Sequence, residues 1–217
     1  MNPIKRIAKT VYPVVMKLVP SKHRAPKFSG GRIYIDITES PMMLARVIGK
    51  YEVEKHKALN TYLKSGGTFV DVGVNKGDFS LRAARIVGEA GRVMAFEPAP
   101  DNCEWIRRSI GLNDYDNIVL HEMALSDADG TATLFISNTS GWHSLAEERK
   151  AASRGEIEVQ TRKLDTIMAE SGDSRIDVLK IDVEGAEMSV LRGAEAALSS
   201  NHDMTCLLYT SPSPRDE

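Results

Sequence analysis

Gly66-Gly67-Thr68-Phe69-Val70-Asp71-Val72-Gly73-Val74-Asn75-Lys76-Gly77-Asp78-Phe79-Ser80 is the stretch whose reading decides the fold. It predicts a turn, a short apolar strand from Phe69 to Val72, a glycine-punctuated loop, and a helix running to about Gly88. Gly73 and Gly77 can take positive φ and let the backbone approach a ligand closely. The helix turns its free N–H groups and the positive end of its dipole into the same loop. A strand, loop and helix in this order make a general ligand cradle, and the flanking residues must say for what.

A dinucleotide-binding fingerprint, G-x-G-x-x-G, seats a pyrophosphate on the helix N-terminus. This loop instead reads Asp71-x-Gly73-x-Asn75-x-Gly77, with an acid at the end of the strand. A carboxylate there repels a pyrophosphate and attracts a cationic amino-acid group. Beyond Gly77, a second apolar strand, Arg92-Val93-Met94-Ala95-Phe96, ends in Glu97-Pro98. An acid at that tip is placed to take both hydroxyls of a ribose. A ligand with a ribose and a cationic end but no phosphate fits S-adenosylmethionine better than NAD.

The loop resembles the first motif of class I methyltransferases, and in particular the D-V-G-A-N-x-G form of the FkbM family. That family's K-I-D-V-E-G-A-E block stands as Lys180-Ile181-Asp182-Val183-Glu184-Gly185-Ala186-Glu187. Its S-G-x-x-S-L block is similar to Ser140-Gly141-Trp142-His143-Ser144-Leu145, and Tyr51-Glu52 resembles its Y-E element. The resemblance covers roughly 31–199. It implies an α/β fold, a Rossmann-like, mostly parallel sheet flanked by helices, with S-adenosylmethionine as cofactor. It also implies that Asp71, Gly73, Asn75, Gly77, Glu97 and Pro98 hold that cofactor, with Ala124 and Leu125 beside its adenine.

A chain of 217 residues, 42% hydrophobic and 27% charged, suits one domain with a real core. The net charge of −2 gives no push toward nucleic acid or membrane. The charge is uneven, however: residues 1–35 hold eight Lys/Arg and no Asp or Glu, leaving 20 basic against 30 acidic side chains. Two cysteines make no disulfide framework, which suits a reducing cytoplasm.

The end of the chain, 206–217, is expected to be foreign to the fold. Cys206-Leu207-Leu208-Tyr209-Thr210-Ser211-Pro212-Ser213-Pro214-Arg215-Asp216 matches the translation of a transposase-type sequencing adapter. The domain is then expected over 29–205, lacking the last strands of its sheet and leaving the strand Val178-Leu179-Lys180-Ile181 as an unprotected edge. Ahead of it, Ile4, Ile7, Val11, Val15 and Leu18 share one helical face among lysines and arginines. Residues 1–20 are too short and too charged to span a bilayer but can lie on an anionic membrane surface; 1–28 as a whole reads as this segment and its linker.

Between these ends, Arg32 to Ile37 alternates as a strand and Pro41 to Ser65 reads as helix. Asp101 is expected to cap a helix to Leu112 whose apolar face buries Cys103. A strand is predicted from Ile118 to Ala124, an inserted one from Thr131 to Ile136, and another at Ile157–Thr161. Asp182, ending the fourth parallel strand, falls where α/β crevices form.

Methyl transfer to a hydroxyl needs a base for the departing proton. Asp182 is the first candidate, then His143 and Glu184; a cluster of Asp182, Glu184 and Glu52 round a divalent ion is the other option, though no spacing defines a metal site. The resemblance implies an O-methyltransferase acting on a sugar, glycan or secondary-metabolite hydroxyl. Two rivals remain at this point: an NAD- or nucleotide-sugar-binding Rossmann enzyme, and a non-catalytic truncated fragment.

Overall fold

The computed structural model describes residues 23–137, 143–146, 150, 153–172 and 174–209. The amphipathic segment at 1–20, Ser140 to Trp142, and the adapter-like residues from 210 on lie outside the described residues.

Two short antiparallel pairs come first: β1 (His23–Arg24) with β4 (Ile35–Asp36), and β2 (Lys27–Phe28) with β3 (Gly31–Arg32). The continuous strand expected from Arg32 to Ile37 is thus divided, and the buried Ile33 and Ile35 plug the core. The single helix expected after Pro41 is also two, α1 (Pro41–Val47) and α2 (Val53–Tyr62). The break has a local cause: Gly49 and Glu52 take φ of +68° and +45°, which no α-helix contains.

The main sheet then builds in alternation with helices: β5 (Thr68–Val72), α3 (Asp78–Val87), β6 (Arg92–Phe96), α4 (Pro100–Gly111) and β7 (Ile118–His121). A small second sheet follows, β8 (Ala124–Leu125), β9 (Gly130–Ser137) and β10 (Ser153–Arg162). The chain returns through α5 (Leu164–Ser171) to β11 (Val178–Ile181), α6 (Glu187–Arg192), α7 (Glu195–Ser200) and β12 (Thr205–Leu208). The order β12-β11-β5-β6-β7 is parallel throughout, the α/β architecture that the resemblance implies.

Every residue of β5 and β11 is buried, as strands covered on both faces require. Phe69, Val93, Ala95 and Val178 pack on one face with α2 and α3, and Val70, Val72, Met94, Leu179 and Ile181 on the other with α5, α6 and α7. Asp71 and Lys180 are register partners and share the first face.

Three expectations are corrected here. β11 is no edge: Thr205–Leu208 pairs with it in parallel, Leu207 packing half-buried on the first core cluster. Residues 206–208, read as foreign to the fold, are therefore strand in the structure. The strand expected to reach Ala124 stops at His121, because Ala124 and Leu125 leave the main sheet to pair with Thr161 and Arg162. Ala99, not Asp101, is the N-cap of α4; Pro100, with its preset φ, takes the first helical position and leaves Asp101 at the second.

Candidate active site at the strand tips

The tips of β5, β6 and β11 converge on the loop 73–77. Gly73, at φ +81°, has no room for a side chain, since a Cβ there would lie 2.0 Å from the Asp182 carbonyl oxygen. Its N–H and that of Val74 both donate to the Phe96 carbonyl, at 3.0 and 3.3 Å. Asn75 holds φ +57°, and Gly77, at φ +88°, is the N-cap of α3. From Asp71 to Ser80 only Gly73 and Asn75 retain appreciable surface, so these two form the face that a ligand can meet.

Asp71 is brought to this loop but not to its surface. Its carboxylate is fully buried, accepting from Lys180 Nζ at 2.9 Å and from Ser80 Oγ at 2.6 Å. The expectation that Asp71 attracts the ligand's cation directly is corrected: Lys180 of this chain already occupies that place. Burial works against a charge on Lys180, yet the Asp71 and Asp182 carboxylates hold its ammonium above the ordinary lysine value. The Lys180 ammonium also donates to the Gly73 carbonyl at 3.0 Å.

Glu97 stands at the β6 tip as expected. One oxygen accepts the Asn75 N–H at 2.7 Å; the other accepts from the Ala99 N–H at 3.0 Å and from Asn102 Nδ2 at 3.3 Å. Burial pushes its carboxyl up, against these donors. Pro98, half-buried, follows it, and Lys76 Nζ lies behind, 3.2 Å from Asn102 Oδ1 and 3.8 Å from the Trp105 ring centroid.

The second sheet roofs this mouth. Leu134 and Val159 pack on Ala99, just beyond Glu97. Across the mouth, Ser144 Oγ donates to the Glu184 carbonyl at 2.6 Å, and Ala146 lies against Gly185. His143 hangs from the roof with Nδ1 accepting the Ser137 N–H at 3.1 Å. Burial, with Lys76 and Arg154 nearby, lowers its pKa, so the ring is neutral at pH 7. A neutral imidazole that accepts at Nδ1 carries its proton on Nε2. His143 Nε2 is therefore a donor, which weakens its candidacy as base.

Asp182 is the accessible acid, its side chain 26% exposed. Lys55 Nζ stands 3.5 Å from it, 2.6 Å from Glu52 and 3.7 Å from the Tyr209 ring centroid. An ammonium thus sits between two of the three acids that a divalent ion would have gathered, and no cluster able to hold a metal occurs among the described residues. Glu184 contributes its carbonyl to Ser144 and holds φ +52°. Leu125 packs in the second core cluster with Val72, Phe96 and Ile181, the last residues of β5, β6 and β11, and Ala124 is buried in the second sheet.

Sequence reading placed Lys180 and Ser144 in family blocks without giving either a role, and it missed Lys55. Lys180 had a signal: a lysine in the middle of an apolar parallel strand is rarely buried without a counter-charge. Ser144 stood in the S-G-x-x-S-L block, but its partner Glu184 comes from a distant element, and Lys55 pairs both with Glu52 nearby and with the distant Asp182.

The residues present fit S-adenosylmethionine on this structure's own evidence. A glutamate at the ribose position is joined to the Asn75 N–H, and the Asn75 Oδ1 is buried without a hydrogen-bond partner in the same loop.

Known proteins agree in kind. Methyltransferase sdnD of Sordaria araneosa is 32% identical, over 61% of this chain and 62% of its own length. The 2-O-methyltransferase NoeI of Sinorhizobium fredii is 29% identical, over 70% and 66%. The 31-O-demethyl-FK506 methyltransferase FkbM of Streptomyces tacrolimicus is 32% identical, over 62% and 62%. The chain thus spans about two thirds or less of the length of these curated relatives. The family described as Methyltransferase FkbM domain matches residues 71–215, from the β5 tip to beyond β12. With its motifs gathered at the tips of one parallel sheet and two thirds of its length within that match, the chain belongs to the FkbM methyltransferase family.

Proposed function

We propose that this chain carries the cofactor-binding core of an S-adenosylmethionine-dependent O-methyltransferase whose acceptor is a hydroxyl of a sugar, glycan or secondary metabolite. The observation that carries the reading is the join between Glu97 and Asn75: the acid at the β6 tip is fixed to the loop that only Gly73 and Asn75 expose. Two of the relatives are named for O-methyl transfer, which supports the hydroxyl acceptor.

When bound, the cofactor supplies an electrophilic methyl carbon. The chain's own residues must orient, exclude water and take a proton. Glu97 binds the ribose hydroxyls, and the Gly73–Asn75 backbone lies along the amino-acid portion. Holding the acceptor oxygen in line at about 3–3.5 Å can supply ~7–11 kcal/mol of the barrier. The roof from β9 and β10 closes that space, and His143 Nε2–H donates to the acceptor. Asp182, the partly exposed acid beside the mouth, takes the hydroxyl proton.

Titration calorimetry with S-adenosylmethionine, NAD and a nucleotide sugar tests the cofactor: only the first should bind. Transfer of labelled methyl to a panel of sugars, glycans and polyketide-type alcohols, with a full-length relative alongside, tests the acceptor. NAD binding without S-adenosylmethionine binding would reverse the assignment.

A further inference from the structure

We propose that Lys180 is the positioning residue of the cofactor loop: its ammonium, tied to Asp71 and to the Gly73 carbonyl, sets the loop's shape for S-adenosylmethionine. The proposal rests on the methyl-donor reading and adds to it a residue from the neighbouring strand.

The peptide group between Gly73 and Val74 joins the half-buried Gly73 to the buried Val74. Its N–H end donates to the Phe96 carbonyl at 3.3 Å, and its oxygen end accepts from Lys180 Nζ at 3.0 Å. One peptide plane is thereby pinned from β6 on one side and from β11 on the other. The Asp182 carbonyl fills the place of a Cβ at Gly73, so the loop cannot slide toward β11.

Lys180 is itself only 2% exposed, with the Phe79 ring 5.2 Å from its Nζ. It is sealed from any acceptor and cannot be a catalytic residue. Its length matters: four methylenes carry the charge from the strand backbone to the loop, past its register partner Asp71. Asp71 in this view is the counter-ion that makes a buried ammonium tolerable. Ser80 Oγ, bonded to the other Asp71 oxygen, keeps that carboxylate turned toward β11.

A purely structural ion pair makes a different forecast. Replacing a buried pair by neutral groups of similar volume is often harmless to stability. The test is therefore Asp71→Asn combined with Lys180→Met, read by titration calorimetry with S-adenosylmethionine and by thermal unfolding. A positioning role predicts a folded protein that binds the cofactor about tenfold to hundredfold more weakly, the scale of one lost charge-assisted hydrogen bond. Unchanged affinity in a folded double variant overturns the role. No binding by the unaltered chain is a separate result, which defeats the methyl-donor reading and the proposal with it. Should the double variant not fold, nuclear magnetic resonance of isotope-labelled lysine in the unaltered chain decides. The Lys180 ammonium signal should move on saturation with S-adenosylmethionine, and a stationary signal overturns the proposal.

Discussion

Glu97 shows how one side chain can serve loop and ligand together. It holds Asn75 through one oxygen and needs its charge to accept ribose hydroxyls as well. Burial raises its pKa, so its charged form is lost on acidification earlier than for an ordinary glutamate. Cofactor affinity should accordingly fall as pH drops, with a midpoint above the usual glutamate value of about 4.3; Glu97→Gln should bind weakly and lack that limb in calorimetry across pH. Asp78 carries the opposite sign. Burial alone would raise its carboxyl, but Arg46 and His56 beside it hold it down at about 2. That depression contributes about 2 kcal/mol, present above the unfolded value near 4 and lost as pH falls through the folded one. Denaturant unfolding of the wild type should lose that increment between about pH 4 and 2, and Asp78→Asn should not. For Asp182→Asn, methyl transfer should fall by about 10²–10⁴-fold with cofactor affinity retained, which separates a base from a binding group.

Among the elements, the parallel strands were the most legible, because a strand buried on both faces writes itself as an uninterrupted apolar run. Val93–Phe96 reads in that way, and Phe69–Val72 and Val178–Ile181 do so except at Asp71 and Lys180, the buried pair. The helix broken at Gly49 and Glu52 and the departure of Ala124–Leu125 to a second sheet were not legible. The first is set locally by the positive φ of Gly49 and Glu52 and the second by pairing with Thr161 and Arg162, and neither leaves a periodic trace. β12 is the sharpest case: its apolar Cys206-Leu207-Leu208 run suits the vacant side of β11, whatever the origin of those residues. Leu207→Asp would place a charge in a half-buried apolar position against the first core cluster. It should lower unfolding stability by about 1–3 kcal/mol, and an unchanged denaturant midpoint would argue that β12 does not form.

At the scale of the whole molecule, the thiols report whether the described fold is intact. Cys103 is buried on α4, donates to the Glu97 carbonyl at 3.0 Å, and has its thiol pushed up to about 12, chiefly by burial. Cys206 is exposed. A thiol reagent at pH 8 should therefore count one cysteine in the native protein and two after denaturation; two in the native state would contradict the core around α4. The motif residues were legible as a set, but their contacts were not. Asp71 and Glu97 look alike in sequence, each an acid at a strand tip. Only the position of Lys180 across β5 shows that one of them is spent inside the protein.

Lys180 follows Asp71 by 109 residues. During synthesis, which proceeds from the N-terminus, β5 and its loop emerge long before their counter-ion. Until β11 docks, Asp71 has to stay wet, take up a proton or bury a bare charge, and the last is costly. The cradle therefore cannot set early around β5 and β6 alone. Competence for the donor arrives as a late, all-or-nothing event, and a polypeptide released before β11 would carry the first motif intact yet hold nothing in it.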